Sequence, residues 1–305
     1  MVGLGVVLVI EVAPSLNLVD TWQFGRPKLG GVYLFSGEEA ALVEAGTSLA
    51  APRILAALGE LGISREKVRW IFVTHVHLDH AGGAGALVRA LPHAQVVVHR
   101  RGARHLADPS RLVASVRQAV GERFPLYGEA IPIPQDRLYV PEDGEVFSLG
   151  SHRLRVVDAP GHAPHHLCFF EETKGLLFTG DAAGLYLNGK LVPATVPPSF
   201  DLELSLATLE HLSSLAPKAL CYTHFGPRPG AAGLREYAEL LPRWLELVRK
   251  AWESGGRDEE ATVKALLERL AQEDWPVDDP LLREDIAMSA RGALLYLRRQ
   301  EAERA

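Results

Sequence analysis

Thr74-His75-Val76-His77-Leu78-Asp79-His80 decides how this 305-residue chain is read. Three imidazoles and a carboxylate fall together, directly after the apolar run 68–73 and directly before Ala81-Gly82-Gly83. The run is apolar on both faces, so it predicts a strand inside a sheet, and the glycines predict tight backbone beyond it. While the chain stays extended, His75 and His77 point to one side and can take one cation between them. Asp79 and His80 are adjacent, lie where the chain bends into a helix, and aim elsewhere. One ion cannot easily take all four, and a second ion nearby can.

Three positions further on complete such a cluster. His162 sits in Ala159-Pro160-Gly161-His162 after the strand-like 154–158, Asp181 follows the run 176–179 through Gly180, and His224 follows the run 219–223. Every one of these segments lies at the C-terminal end of a predicted strand, so they converge on one edge of a sandwich. His93, His99, His105, His152 and His211 have no partners at ligand spacing and read as structural.

On the stretches THVHLDHAGG (74–83), APGHAPHH (159–166), FTGDAAG (178–184) and YTHFGP (222–227), the chain resembles the metallo-β-lactamase-fold superfamily from Val6 to Gly226. The resemblance implies an α/β fold, a four-layer αββα sandwich of two mixed β-sheets flanked by helices, with a dinuclear metal site at one edge. It implies that His75, His77 and His162 hold a first metal, that Asp79, His80 and His224 hold a second, and that Asp181 bridges them. His166 matches a recurrent supporting histidine of the family, and His165 is an extra. Where the family often has an Asp-Thr/Cys-Gly turn, this chain has Glu44-Ala45-Gly46, so Glu44 is expected to support the site with a longer arm. Asp79, as in similar enzymes, is the expected catalytic residue that orients a hydroxide or accepts its proton. Tyr186 is a candidate for contact with a substrate oxygen, as in lactone hydrolases.

Two divalent ions about 3.5–4 Å apart can share a water and lower its pKa from about 15.7 to near 7. The expected function is therefore a dinuclear metal-dependent hydrolase, working through a metal-bridging hydroxide on a small ester, thioester, lactone or phosphodiester. Zn²⁺ is the expected metal for a nitrogen-rich site, with iron or manganese as alternatives. An iron-dependent sulfur dioxygenase of the same fold and a metal-dependent nuclease or phosphodiesterase are the competing activities. Glyoxalase II is disfavoured because Ala-Ala-Gly-Leu-Tyr-Leu-Asn-Gly follows Asp181 in place of Gly-Cys-Gly-Arg. A nuclease is disfavoured because only about forty residues separate Asp181 from His224, too few for a large inserted domain.

Bulk properties narrow the rest. Hydrophobic residues make up 47% and charged residues 23%, ordinary for a soluble globular protein. The net charge of −6 argues against broad nucleic-acid binding, leaving a small-molecule substrate and a second copy of the chain as expected partners. Met1–Val12 is apolar, but it lacks a basic n-region, is interrupted by Glu11 and is too short for a span. It reads as a first strand, with no membrane partner and a cytoplasmic location expected. Cys168 and Cys221 provide neither a disulfide framework nor a thiolate metal site. Arg exceeds Lys, and asparagine occurs only at Asn17 and Asn188, a depletion of thermolabile residues that suits a thermophilic source. The matching expectation is a melting temperature above the mesophile range of about 45–65 °C.

Strands are predicted at 6–12, 32–35, 41–44, 68–73 and 95–99, then in close order at 145–149, 154–158, 167–170 and 176–179, and again at 219–223. Helices are predicted after a Thr47 or Ser48 cap up to Gly62, and at 82–90, 100–121 (broken at Asp108-Pro109) and 202–215. The Pro-rich 124–141 reads as a long surface loop beside the site. Composition shifts at Pro227-Arg228-Pro229-Gly230, which predicts a catalytic domain at 1–229 and a helical C-terminal extension at 230–305. Three short helices cannot bury themselves alone, so the extension should pack on the domain or on a second subunit. If it folds over the site, Arg243, Arg249 and Lys250 are candidates to meet an anionic substrate.

Overall fold

Two sheets face each other, and the alternation of side chains along their strands sets every layer. In the computed structural model, which describes residues 7–273, 275 and 277–304, the first sheet holds seven strands. These are β1 (Val9–Ala13), β2 (Leu16–Asp20), β3 (Gly31–Phe35), β4 (Ala40–Val43), β5 (Val68–Phe72), β6 (Gln95–Val97) and β7 (Leu138–Tyr139), lying side by side in that order. β1 to β4 are antiparallel neighbours, whereas β4, β5, β6 and β7 run parallel. The second sheet is built from β8 (Val146–Leu149), β9 (His152–Asp158), β10 (Leu167–Glu171) and β11 (Leu176–Phe178). A hairpin, β12 (Leu185–Leu187) and β13 (Lys190–Val192), stands apart, and β14 (Ala219–Tyr222) and β15 (Gly226–Pro229) complete the second sheet in the order β15-β14-β11-β10-β9-β8.

Because side chains alternate across a strand, each sheet feeds two cores. Tyr33, Phe35, Val43 and Phe72 of the first sheet meet Phe147, Phe169, Phe178 and Cys221 of the second between the sheets. There the rings pack edge to face, Phe72 with Phe147 at 5.0 Å and with Phe169 at 5.2 Å, pairs that contribute about 0.5–1.5 kcal/mol each beyond area burial. The outward residues Val32, Leu34, Leu42 and Ile71 pack under α1 (Ala51–Glu60) and α3 (Ala84–Ala90), which flank the short α2 (Leu78–Ala81). α4 (Arg100–Ala107) and α5 (Ser110–Val120) follow, divided at Asp108-Pro109 as expected. On the far side Cys168, Leu177, Leu220 and Tyr222 lie under α6 (Leu202–Ser214) and the tail helices α7 (Ala232–Ser254), α8 (Glu259–Ala271) and α9 (Pro280–Arg304). The result is the four-layer αββα sandwich with a helical C-terminal segment.

The tail packs on the domain itself: Trp244, Val248, Leu266, Ile286 and Leu294 share one core with the second sheet. No helix among the described residues is long and apolar enough to cross a membrane. Several local expectations are corrected. β2 replaces part of a predicted loop, turned back from β1 at Ser15, whose φ of 65° is left-handed. A single 3₁₀ turn at Ser48–Ala50 precedes α1, and neither Thr47 nor Ser48 donates a side-chain cap to it. The predicted helix 82–90 is α3, which begins at Ala84, and the separate short α2 precedes it at Leu78–Ala81. The first predicted strand begins at Val9, and Met1–Val6 and Pro276 lie outside the described residues.

Candidate metal centre and its cavity

β5 ends at Phe72 in the middle of a parallel sheet, and the chain leaves it through Thr74 to His80. Thr74 ties the sheets together at this edge, its carbonyl accepting from Leu167 N at 2.7 Å. β9, β11 and β14 run in one direction in the second sheet, so the segments after them, bearing His162, Asp181 and His224, reach the same edge. Three groups of donor atoms result: His75, His77 and His162; His75, His80 and Asp181; Asp79, His80 and His224, each within 4.8 Å. The seven positions singled out in the sequence are thus brought together.

Four of the imidazoles are oriented by an outer nitrogen. His162 Nδ1 donates to Ala194 O and His224 Nδ1 to Leu29 O, both at 2.6 Å. His80 Nδ1 donates to Glu44 Oε1 at 2.8 Å, and His75 Nδ1 to Thr74 Oγ1 at 3.0 Å. With the proton on Nδ1, each Nε2 turns an unshared pair inward. His80 Nε2 and His224 Nε2 are then 3.1 Å apart, and His75 Nε2 and His162 Nε2 stand 2.8 and 3.1 Å from His77 Nδ1. Two ring nitrogens at such distances need a shared proton or a metal cation between them. Asp181 sets Oδ2 3.6 Å from His162 Nε2 and Oδ1 3.3 Å from His80 Nε2, one carboxylate turned to both groups. Its buried Oδ1 has no hydrogen-bond partner.

The charges agree with this geometry. Burial and the surrounding imidazoles hold His75 and His77 well below the ordinary histidine range, keeping them neutral donors. Burial pulls His80 the same way, but Asp181, Glu44 and Asp79 outweigh it and hold its pKa well above the usual value. Burial alone raises Asp181, yet His80, His162 and His224 bring it well below the carboxylate range. Neutral nitrogens on one side and a carboxylate cage on the other fit metal cations.

Glu44 takes the supporting place with its longer arm. Its Oε1 accepts from Thr74 Oγ1 at 2.7 Å, His80 Nδ1 at 2.8 Å and Thr223 Oγ1 at 3.0 Å, wholly buried. Its own backbone sits at φ 76°, a left-handed conformation unusual for a residue with a long side chain. His166 accepts from Asp181 N through Nε2 at 3.2 Å and stacks on His75, with 4.9 Å between centroids. Gly180, at φ 48°, makes that approach possible: a Cβ there would lie 2.6 Å from Thr74 Oγ1 and 2.7 Å from His166 Nε2. Tyr186 is not brought to the cavity. Its ring stacks on Tyr222 at 5.3 Å beneath Arg228, while its backbone N–H donates to His224 O. Arg243, Arg249 and Lys250 are also elsewhere, pairing with Glu239 and Glu246 on the solvent face of α7.

The metal-site side chains His77, Asp79, His162, Asp181 and His224 form the floor of a cavity of about 170 Å³. Its walls are mostly apolar, including Phe24, Leu78, Val116, Val120, Val192 and Met288, and the polar exceptions include Gln23, Arg123, Tyr127, Asp285 and Ser289. α9 therefore covers the site, through Asp285, Met288 and Ser289. Sequence reasoning missed these wall residues. The segment 124–141 does reach the site through Tyr127, but it is not all loop: β7 lies in it and forms an edge of the first sheet.

Comparison with known proteins accords with this arrangement. A sequence model of the metallo-beta-lactamase superfamily matches residues 26–224. The chain is 31% identical over 217 residues to the metallo-beta-lactamase fold-containing protein ST1585 of Sulfurisphaera tokodaii, covering 70% of this chain and 78% of that one. The crystal structure of ST1585, given as from Sulfolobus tokodaii, superposes with a TM-score of 0.69 at 25% identity, over 92% of this chain and 98% of that one. Shorter matches reach the atrochrysone carboxyl ACP thioesterase AacuM of Aspergillus aculeatus, 32% identical over 36% of this chain and 26% of the relative. Another is the hydroxyacylglutathione hydrolase of Maricaulis maris, 30% identical over 41% of this chain and 38% of the relative.

Proposed function

The chain belongs to the metallo-β-lactamase superfamily, and from that premise we propose that it is a dinuclear metal-dependent hydrolase of a small ester, thioester or lactone. The observation that carries this reading is the set of inward Nε2 atoms, with His80 and His224 facing each other at 3.1 Å and Asp181 turned to both groups. His75, His77 and His162 would hold one cation, Asp79, His80 and His224 the other, and Asp181 would bridge them. Two divalent cations, Zn²⁺ by donor chemistry, would supply Lewis acidity and a water acidified to near neutral pKa.

The chain's own residues do the remainder. Asp79 is the most open of the acidic donors, with 24% of its side chain exposed to the cavity, and is placed to orient the attacking water or take its proton. Tyr127 lines the same space, and burial together with Asp79 keeps its hydroxyl protonated, a donor for a substrate oxygen. Apolar walls and α9 exclude bulk water from the reacting end. The thioesterase and hydroxyacylglutathione hydrolase relatives support an acyl substrate over a phosphodiester. The Asp79, His80 and His224 group supports a second cation over a mononuclear iron dioxygenase.

Metal analysis of the purified protein with an ester, thioester and lactone panel tests this. Two zinc ions per chain with hydrolytic turnover is the expected result. One iron with oxygen uptake, or full hydrolysis by metal-free protein, would overturn it.

A further inference from the structure

On its wall, the cavity has a second polar feature that the hydrolytic chemistry does not use. Arg123, just beyond α5, donates from Nη2 to Asp285 Oδ1 of α9 at 3.0 Å, across 162 positions of sequence. Both side chains line the cavity. The guanidinium lies 5.7 Å from the Phe24 ring centre. Asp285 uses Oδ1 in this pair, and among the described residues its Oδ2 accepts nothing. A guanidinium carries five donor hydrogens, so this wall holds spare donors beside a spare acceptor, with a net charge of zero.

We propose that the Arg123–Asp285 pair selects the substrate by charge: it receives a neutral acyl group carrying an amide or similar donor–acceptor function, and rejects one that ends in a carboxylate. This rests on the reading that the cavity holds the acyl part of a substrate hydrolysed at the metal site. An amide carbonyl accepts from the guanidinium while its N–H donates to Asp285, leaving the ion pair intact. A carboxylate meets an arginine already neutralised, with the Asp285 charge beside it in a half-buried, mostly apolar space. Like charges so placed cost binding, because the apolar walls limit the solvent that screens them. The apolar walls between the two ends suit an alkyl spacer.

Calorimetry on the metal-loaded protein tests the pair without any turnover. The probes are short aliphatic dicarboxylic acids from succinate to suberate, their monoamides, and the matching simple fatty acids. All present the same carboxylate to the metals and differ at the far end. The wild type should bind the best-fitting monoamide about tenfold or more tighter than the diacid and tighter than the fatty acid. Asp285→Asn, which frees the arginine charge, should invert the order of monoamide and diacid. Arg123→Gln should reduce the monoamide to the level of the fatty acid, a second readout should Asp285→Asn fold poorly. A wild type that does not prefer the monoamide, or a monoamide-to-diacid ratio unchanged in both variants, would overturn the proposal. Binding as expected with no turnover on any ester would count against the hydrolase reading and leave the charge selection standing.

Discussion

The floor and the far wall of the cavity are built on different terms. On the floor, the outer nitrogens of His75, His80, His162 and His224 are each held by a named acceptor, so the inward atoms have little freedom. Their segments leave the ends of β5, β9, β11 and β14, whose cross-strand bonds fix the spacing. The far wall comes from the end of α5, the turn after it and α9, held to one another by the Arg123–Asp285 pair and to the rest by packing and by single side-chain hydrogen bonds such as those of Ser289. A floor of this kind tolerates almost no change without losing its chemistry, whereas a wall of this kind can be altered to admit another molecule.

That contrast is open to direct attack. The largest effect is expected from His162→Ala, which removes a donor and its Ala194 anchor: hydrolysis should fall to background and bound metal, read by plasma mass spectrometry, should drop. Retained activity would mean the floor is not the reacting end. Glu44→Gln keeps the shape but removes the charge that accepts from three neighbours, so metal affinity or kcat should fall about 10–100-fold. Chelator competition measures it, and an unchanged affinity would show that the charge of Glu44 does not matter.

On the wall, Gly292→Ala in α9 places a Cβ 1.9 Å from Thr195 O. The helix must shift, at about 1–3 kcal/mol of stability, with KM raised and metal content kept. Loss of metal along with KM would show that floor and wall are not separable in this way. The smallest effect belongs to Arg243→Ala, whose side chain is 76% exposed and pairs with Glu239 at 4.0 Å. Melting should shift by no more than about 0.5 kcal/mol equivalent, with activity unchanged; a changed KM would place the outer face of α7 in substrate binding.

What the sequence disclosed follows the same division. The floor was legible because its donors are rare residue types at fixed short spacing, and because each follows a strongly apolar run. Glu44 was legible only as a departure from a familiar turn, since nothing in the sequence measures how far an arm reaches. Arg123 and Asp285 carry no local signature; only the three-dimensional fold brings them together. β15 is Gly-Pro-Arg-Pro, a composition that reads as a linker, yet an edge strand accommodates prolines because half of its backbone faces away from the sheet. Tyr186 was chosen for nearness to Asp181 in sequence, and strand alternation turned its ring to the other side.

Residues 193–195 join the two ends. Ala194 O receives the His162 ring, while Ala194 N donates to Tyr237 of α7 at 3.0 Å. Thr195 Oγ1 receives Trp244 Nε1 at 2.9 Å and donates to Ser289 O at 2.7 Å, and Ser289 Oγ donates back to Pro193 O at 2.7 Å. A single tripeptide thus hydrogen-bonds to a candidate metal ligand and to two helices of the tail. By thermodynamic linkage, any metal-binding free energy carried through this tripeptide disfavours the opening of α9 by the same amount. Amide exchange in α9 should therefore slow when metal is added, and the tail should melt in one transition with the sandwich.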